Sequence, residues 1–153
     1  MDALSDGKYR SVCGFVISDE NSFYNQLTGR QNLNFFSEIY AKPVTREVES
    51  LAERLELPLV FDDQFQKYSK GTRQKLSFLR GILGEWKILL VDELDALDSR
   101  SRRVVTDYAE SKLKERKIII TVTSKIEEAS VPNVYELKDG KLTDVRQAKW
   151  YGR

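Results

Sequence analysis

The stretch Tyr68-Ser69-Lys70-Gly71-Thr72-Arg73-Gln74-Lys75-Leu76, followed ten residues later by Lys87-Ile88-Leu89-Leu90-Val91-Asp92-Glu93, decides how the chain is read. Ser69 stands where it can cap a helix whose apolar stripe is Leu76, Leu79 and Leu83. A helix start offers free backbone amides and the positive end of the helix dipole, which favour an anion such as a phosphate. Gly71 lets the backbone approach that anion closely. Taken alone, the same residues also make an ordinary N-cap. Lys87 to Val91 is a continuous apolar run, the pattern of a central parallel strand. Asp92 and Glu93 then stand at its carboxyl end, where open α/β sheets bind ligands. An Asp there can hold Mg²⁺, and a Glu beside it can orient or deprotonate a water. Alone, the pair is equally a solvated start to a loop.

Working outward, Ser11 to Ile17 reads as a short buried strand and Ser18 to Gln26 as a polar loop. Thr28 and Gln31 have the spacing of a capping box. The helix they open carries Leu33, Phe36 and Tyr40 on one face, with Phe35 and Ile39 beside it. Pro43 breaks the chain, and Thr45 can cap a second helix with the stripe Val48, Leu51, Ala52 and Leu55, ended by Pro58. Asp62, Asp63 and Gln64 form a linker. Beyond the central strand, a helix is predicted near Ser99 to Lys114, with Val104, Val105 and Tyr108 facing inward. Lys117 to Val122 reads as a second buried strand, Ile126 to Ala129 as a short acidic helix, and Val134 to Val145 as a hairpin turning at Asp139-Gly140. This order predicts α/β architecture with a parallel core and a helical insertion, with boundaries near residues 28 and 84.

Composition narrows the chemistry. The 153 residues are 41% hydrophobic and 32% charged, as in a soluble globular domain. Lys and Arg number 25 against 24 Asp and Glu, so a net charge of +1 draws the chain neither to nucleic acid nor to an anionic membrane. There is no histidine, which removes imidazole bases and His-ligated metals. The single Cys13 excludes an internal disulfide and reads as core packing within an apolar strand, as Trp86 reads as a packing residue. The basic run Arg100, Arg102, Arg103, Lys112, Lys114, Arg116 and Lys117 is interleaved with acids, so a solvated helix face is expected. The N-terminus has no signal-peptide pattern, and a cytoplasmic location is expected.

Together the two opening segments resemble the ATP-binding subunit of ABC transporters, Tyr68–Thr72 matching its LSGGQ-type signature and Ile88–Glu93 its Walker B strand. Leu27 to Phe36 resembles the opening of that family's helical subdomain, Asp95 to Asp98 its D-loop, and Ser99 to Arg103 the helix start after it. Glu127-Glu128-Ala129 resembles the segment after its switch histidine, and Val134 to Leu142 its closing strand pair, so the resemblance covers about residues 11–145. It implies an α/β fold of the P-loop NTPase (RecA-like) type, its parallel-sheet core incomplete at the N-terminus, with an inserted ABC-type helical subdomain. Residues 1–153 would be a single partial ABC ATPase domain, with 28–84 as the helical subdomain and 10–27 and 85–148 as parts of the core. The resemblance also implies ATP and Mg²⁺. Asp92 would position the metal and Glu93 would be the general base, while Ser69, Gly71 and Thr72 would contact the γ-phosphate of ATP on the opposing subunit of a dimer. Asp98 would line the dimer interface. The implied partners are a second ABC ATPase subunit, in a homo- or heterodimer, and a transmembrane permease met by the helical subdomain. The domain would thus lie at the inner face of the cell membrane, with no nucleic-acid partner. DNA-repair and chromosome-type ABC ATPases are set aside, because the transporter-like insert is present and coiled-coil heptads are not.

The departures are as specific as the match. A P-loop needs G-x-x-x-x-G-K-[ST]. The two Gly-Lys pairs, Gly7-Lys8 and Gly140-Lys141, are followed by neither Ser nor Thr and have no glycine five residues before them. Ser124 stands in place of the switch histidine, and the stretch Ser18 to Ser22 has no Q-loop glutamine. The run from Glu93 to Asp98 is one residue shorter than usual, with Leu94 in place of the usual proline. By itself the chain is expected not to hydrolyse ATP. The alternative to an ATPase subunit is a non-catalytic module that contributes its signature motif in trans to a partner's ATP site. Without a P-loop strand and helix, an uncovered sheet face is also expected.

Overall fold

In the computed structural model, residues 12–17, 22–115, 117–122 and 135–144 are described. The apolar run expected at the centre of the sheet is there. Strand β2 (Ile88–Asp92) lies between β1 (Cys13–Val16) and β3 (Ile118–Val122), and both pairings are parallel. Register places Phe15, Leu90 and Ile120 side by side on one face, and Val16, Val91 and Thr121 on the other. Parallel neighbours require long crossovers. Helices α1 (Gly29–Ile39), α2 (Arg46–Arg54) and α3 (Lys70–Gly81) lie between β1 and β2, and α4 (Ser99–Lys114) between β2 and β3. A separate antiparallel hairpin pairs β4 (Tyr135–Lys138) with β5 (Lys141–Asp144). Asp139 and Gly140 turn it with positive φ at both positions, the backbone a tight hairpin needs. The core is therefore a parallel α/β sheet with a helical insertion between its first two strands.

Caps set the helix starts. Thr28 and Gln31 bond reciprocally at 3.2 and 2.9 Å, Thr45 caps α2, and Ser69 caps α3. The sheet face bearing Gly14, Val16, Leu89 and Val91 is buried under helices, and Leu76, Phe78, Leu79 and Leu83 of the α3 segment are at most 1% exposed. Helix α3 approaches β1 so closely that a Cβ on Gly14 would lie 2.1 Å from the Gly81 carbonyl oxygen. Just beyond β1, the Ser77 hydroxyl donates to the Ile17 carbonyl at 2.8 Å and accepts the Ile17 N–H at 3.2 Å.

Several expectations are corrected. Lys117 to Val122 is a strand but not a buried one. Among the described residues the other sheet face stays open, and Phe15, Ile17, Ile118, Ile120 and Val122 are between 42% and 62% exposed. Cys13 is half-buried on that open face and does not belong to the core. In α1, Leu33 is buried, but Ile39 and Tyr40 at its end are about half or more exposed, Tyr40 lying beside the Phe36 ring. Helix α2 stops at Arg54, before Pro58, where Glu56 takes a left-handed φ of 60°. The basic run is more than a solvated face. Lys112, with its side chain 8% exposed, reaches Glu47 at 2.6 Å and Glu115 at 2.9 Å, Asp107 pairs with Arg54 at 3.3 Å, and Arg100 pairs with Glu56. Three ion pairs therefore tie α4 to α2 and the residues that follow it. Burial works to lower the Lys112 pKa, but the carboxylates of Glu47 and Glu115 prevail and hold it above its ordinary value. The expected segment from Ile126 to Ala129, with Ser124 before it, lies outside the described residues, as do Gly7-Lys8, Ser18 to Asn21 and Arg116.

Candidate functional site

The site is built where the start of α3 meets the loop after β2. Tyr68 is buried, and its hydroxyl donates to the Val60 carbonyl at 2.7 Å; burial pushes its pKa up to about 12. That anchor ends the preceding loop and delivers Ser69 to the cap. The Ser69 hydroxyl oxygen accepts the Thr72 N–H at 3.1 Å and lies 2.8 Å from the Thr72 hydroxyl. Ser69 and Lys70 are exposed, and Gly71 and Thr72 partly so. A Cβ on Gly71 would stand 2.7 Å from the Ala96 carbonyl oxygen, so only glycine lets α3 lie this close to the loop.

Asp92 is exposed at the carboxyl end of β2, where its Cα faces Val122 of β3. Glu93 follows with φ +37°, a left-handed backbone uncommon for a non-glycine residue. Its N–H donates to the Val122 carbonyl at 3.1 Å, which extends the pairing one residue past the strand. Gln74, 4% exposed, spans the turn that comes next. Its Nε2 donates to the Glu93 carbonyl at 3.1 Å, and its Oε1 accepts the Ala96 N–H at 2.9 Å.

Asp98 closes the loop as the N-cap of α4. Its carboxylate accepts the Ser101 N–H at 2.8 Å and the Ser101 hydroxyl at 2.8 Å, and pairs with Lys75 at 3.2 Å. The Ser101 amide first, then its hydroxyl and Lys75, hold the carboxyl well below the usual carboxylate range. The structure thus brings Gly71 and Asp98 into one contiguous cluster with Glu93, through Gln74, Lys75 and Ala96. Ser69 and Thr72 sit at the free tip of α3. Among the described residues, no group of three or more His, Cys, Asp or Glu side chains could hold a metal. A divalent cation here would have Asp92 as its protein anchor and take its other oxygens from phosphate and water.

Three structural residues escaped the sequence reading. Gln74 stands four and seven residues before the buried Phe78 and Gly81, a second inward face of α3 that the leucine stripe obscured. Asn32 is fully buried, accepts the Tyr24 N–H at 2.8 Å and donates to the Tyr24, Leu27 and Thr28 carbonyls. Arg80 is 7% exposed, stacks 4.3 Å from the Phe23 ring centre and donates to the Ser22 carbonyl at 2.6 Å. No pattern distinguishes these from surface polar residues before the fold is known.

No protein-family model matches the chain. Among curated proteins, it is 29% identical over 139 residues to the Bacillus subtilis ABC transporter ATP-binding protein YhcH, covering 88% of this chain and 45% of that protein. It is 31% identical over 104 residues to the polysialic acid transport ATP-binding protein KpsT of Escherichia coli, covering 66% and 47% respectively. Among solved structures, CbiO1 of Clostridium perfringens, part of the ABC transporter complex CbiONQ, superposes with a TM-score of 0.67 at 21% identity, covering 89% of this chain and 57% of that one. The chain therefore spans about half, or less, of each of these relatives. Related in sequence over most of its length and built on the same fold, the chain is a homologue of the ABC transporter ATP-binding proteins and corresponds to part of their P-loop NTPase domain.

Proposed function

We propose that this chain works as an ABC-type ATP-binding component in a dimer, where the start of α3 engages a nucleotide held by the opposing subunit. The observation that supports it most is the free, capped turn of Ser69 to Thr72 at the tip of a helix whose next turn is fixed against the loop after the Walker B-like strand. The exposed Ser69 hydroxyl, the Gly71 backbone and the Thr72 hydroxyl form the surface that meets the γ-phosphate, with the α3 dipole favouring its charge. Asp92 anchors Mg²⁺, which neutralises phosphate charge when bound. Glu93 is the general base that draws the proton from an attacking water. Asp98 lies at the interface with the second subunit. The helical insertion meets a transmembrane permease, which places the chain peripherally at the cytoplasmic face of a membrane. Among the described residues no helix is long and apolar enough to cross a membrane itself.

The composite site we propose pairs the signature turn of this chain with the P-loop of a partner subunit. The test is a binding titration. A P-loop-bearing ABC ATPase subunit should bind ATP more tightly when this chain is added, and Ser69→Arg should abolish the gain. An unchanged gain in Ser69→Arg refutes the role of the signature turn. ATP turnover by the chain alone that disappears in Glu93→Gln would refute its dependence on a partner.

A further inference from the structure

We infer that Gln74 is a positioning residue that straps the start of α3 to the Glu93 turn, so that the signature turn and the general-base position move as one unit. The consequence for nucleotides rests on the function proposed above; the strap itself rests on three contacts. The Gln74 carboxamide grips two main-chain groups of one turn, the Glu93 carbonyl at 3.1 Å and the Ala96 N–H at 2.9 Å. One helical turn earlier, Gly71 lies against the Ala96 carbonyl with no room for a Cβ. Beside Gln74, Lys75 holds Asp98 at 3.2 Å. Residues 71, 74 and 75 share one face of α3, so the first turns of that face are committed to the 93–98 segment.

The turn has a main-chain hydrogen bond of its own, from the Leu97 N–H to the Leu94 carbonyl at 3.2 Å. A buried side chain on another element takes the Glu93 carbonyl and the Ala96 N–H as well, and opening the turn leaves the buried Gln74 carboxamide unpaired. The turn therefore opens together with α3. On the function proposed above, the α3 tip addresses the nucleotide on the opposing subunit, and Glu93 stands at the other end of the same unit. Gln74 is then the link by which engagement of the α3 tip sets the aim of the Glu93 carboxylate.

Native-state hydrogen exchange on the full chain tests the strap. In the wild type, the Thr72 and Arg73 amides and the Ala96 and Leu97 amides should open with one shared denaturant dependence. Gln74→Leu keeps the approximate volume and removes both bonds. Ala96 should then exchange at least about tenfold faster and on a different isotherm from Thr72. A merely structural role would lower protection in both segments together and leave them on one isotherm. That result overturns the inference, as does unchanged Ala96 exchange. Gln74→Met carries the same expectation where Gln74→Leu does not fold. Gln74→Glu keeps an acceptor for the Ala96 N–H and should hold Ala96 closer to the wild-type rate than either; a rate equal to theirs also overturns the strap. If a P-loop-bearing partner gains no ATP affinity from the wild-type chain, the nucleotide reading fails by itself, while the exchange isotherms still decide the strap.

Discussion

Replacing Gly14 by alanine places a methyl group 2.1 Å from the Gly81 carbonyl oxygen and 2.8 Å from Leu89 Cδ1. The leucine tip can turn aside, but the carbonyl belongs to a helix that is buried along this length. Ordinary contact needs about 3.5 Å, so β1 and α3 must part by more than about 1 Å. Overpacking of this kind costs about 1–3 kcal/mol, and a clash with backbone belongs at the upper end. The separation also weakens the two hydrogen bonds between Ser77 and Ile17, each contributing about 1 kcal/mol. Against this, removing a strand glycine recovers about 0.5–1 kcal/mol of unfolded-state entropy. The net expectation is a loss of about 3 kcal/mol, a large fraction of the roughly 5–15 kcal/mol that holds a domain together. Urea unfolding followed by the fluorescence of the buried Trp86 reads the shift. A second substitution sharpens the test. On Gly81 an added Cβ would lie 2.6 Å from Val16 Cγ2 and 2.9 Å from the Phe15 carbonyl oxygen, so it pries open the same contact. Alanine gains about 1 kcal/mol of helix propensity there, so Gly81→Ala should destabilise less than Gly14→Ala. The double variant should lose less than the sum of the two by about 1 kcal/mol or more. A Gly14→Ala chain within about 0.5 kcal/mol of wild type, or a strictly additive pair, refutes the reasoning.

Other outcomes follow from features already described. Asn32→Leu leaves the Tyr24 N–H unpaired, while the Tyr24, Leu27 and Thr28 carbonyls keep the N–H groups of Leu27, Phe65 and residue 32, and should cost about 2 kcal/mol in urea unfolding, with the start of α1 fraying first in exchange measurements. Lys112→Met keeps the buried stem and removes the ammonium; in a double-mutant cycle with Glu47→Gln the coupling should be about 1 kcal/mol at low salt and should shrink in 1 M NaCl. Asp98→Ala removes the α4 cap and should cost about 1 kcal/mol at pH 7. The folded-state pKa of Asp98 lies below its unfolded value, so its contribution is present above about pH 4 and fades as pH falls. Wild-type and Asp98→Ala unfolding midpoints should therefore converge between about pH 4 and pH 2.

The parts of the fold set by local chemistry were legible in the sequence. The Thr28–Gln31 box, the caps at Thr45 and Ser69, the stripe through Leu76 and Leu83 and the hairpin at Asp139-Gly140 depend on residues a few positions apart, and each is observed. The central place of Ile88–Asp92 was legible in the apolar run Ile88 to Val91, although among the described residues only the Leu89 and Val91 face is buried. The same rule misread Lys117 to Val122, whose composition matches a buried strand although its face is open. Burial depends on what lies above a residue, and a strand's own composition does not report that. The site divides the same way. Ser69, Gly71, Asp92 and Glu93 stood out through residue type and position along an element. Gln74, Asn32 and Arg80 did not, because their roles depend on main-chain groups 19 or more residues away for Gln74, 58 for Arg80, and on loop carbonyls folded back over α1 for Asn32.

The left-handed backbone at Glu93 has a consequence for how such a chain can be improved or can drift. At φ +37° a side chain is a burden, and Glu93→Gly should relieve about 1 kcal/mol of strain. Any screen that rewards heat tolerance or yield alone will enrich that substitution and discard the one carboxylate proposed to activate water. Thermal robustness and catalytic competence are thus opposed at a single codon, and a stabilised descendant of this chain has to be checked at residue 93 before its silence is blamed on anything else.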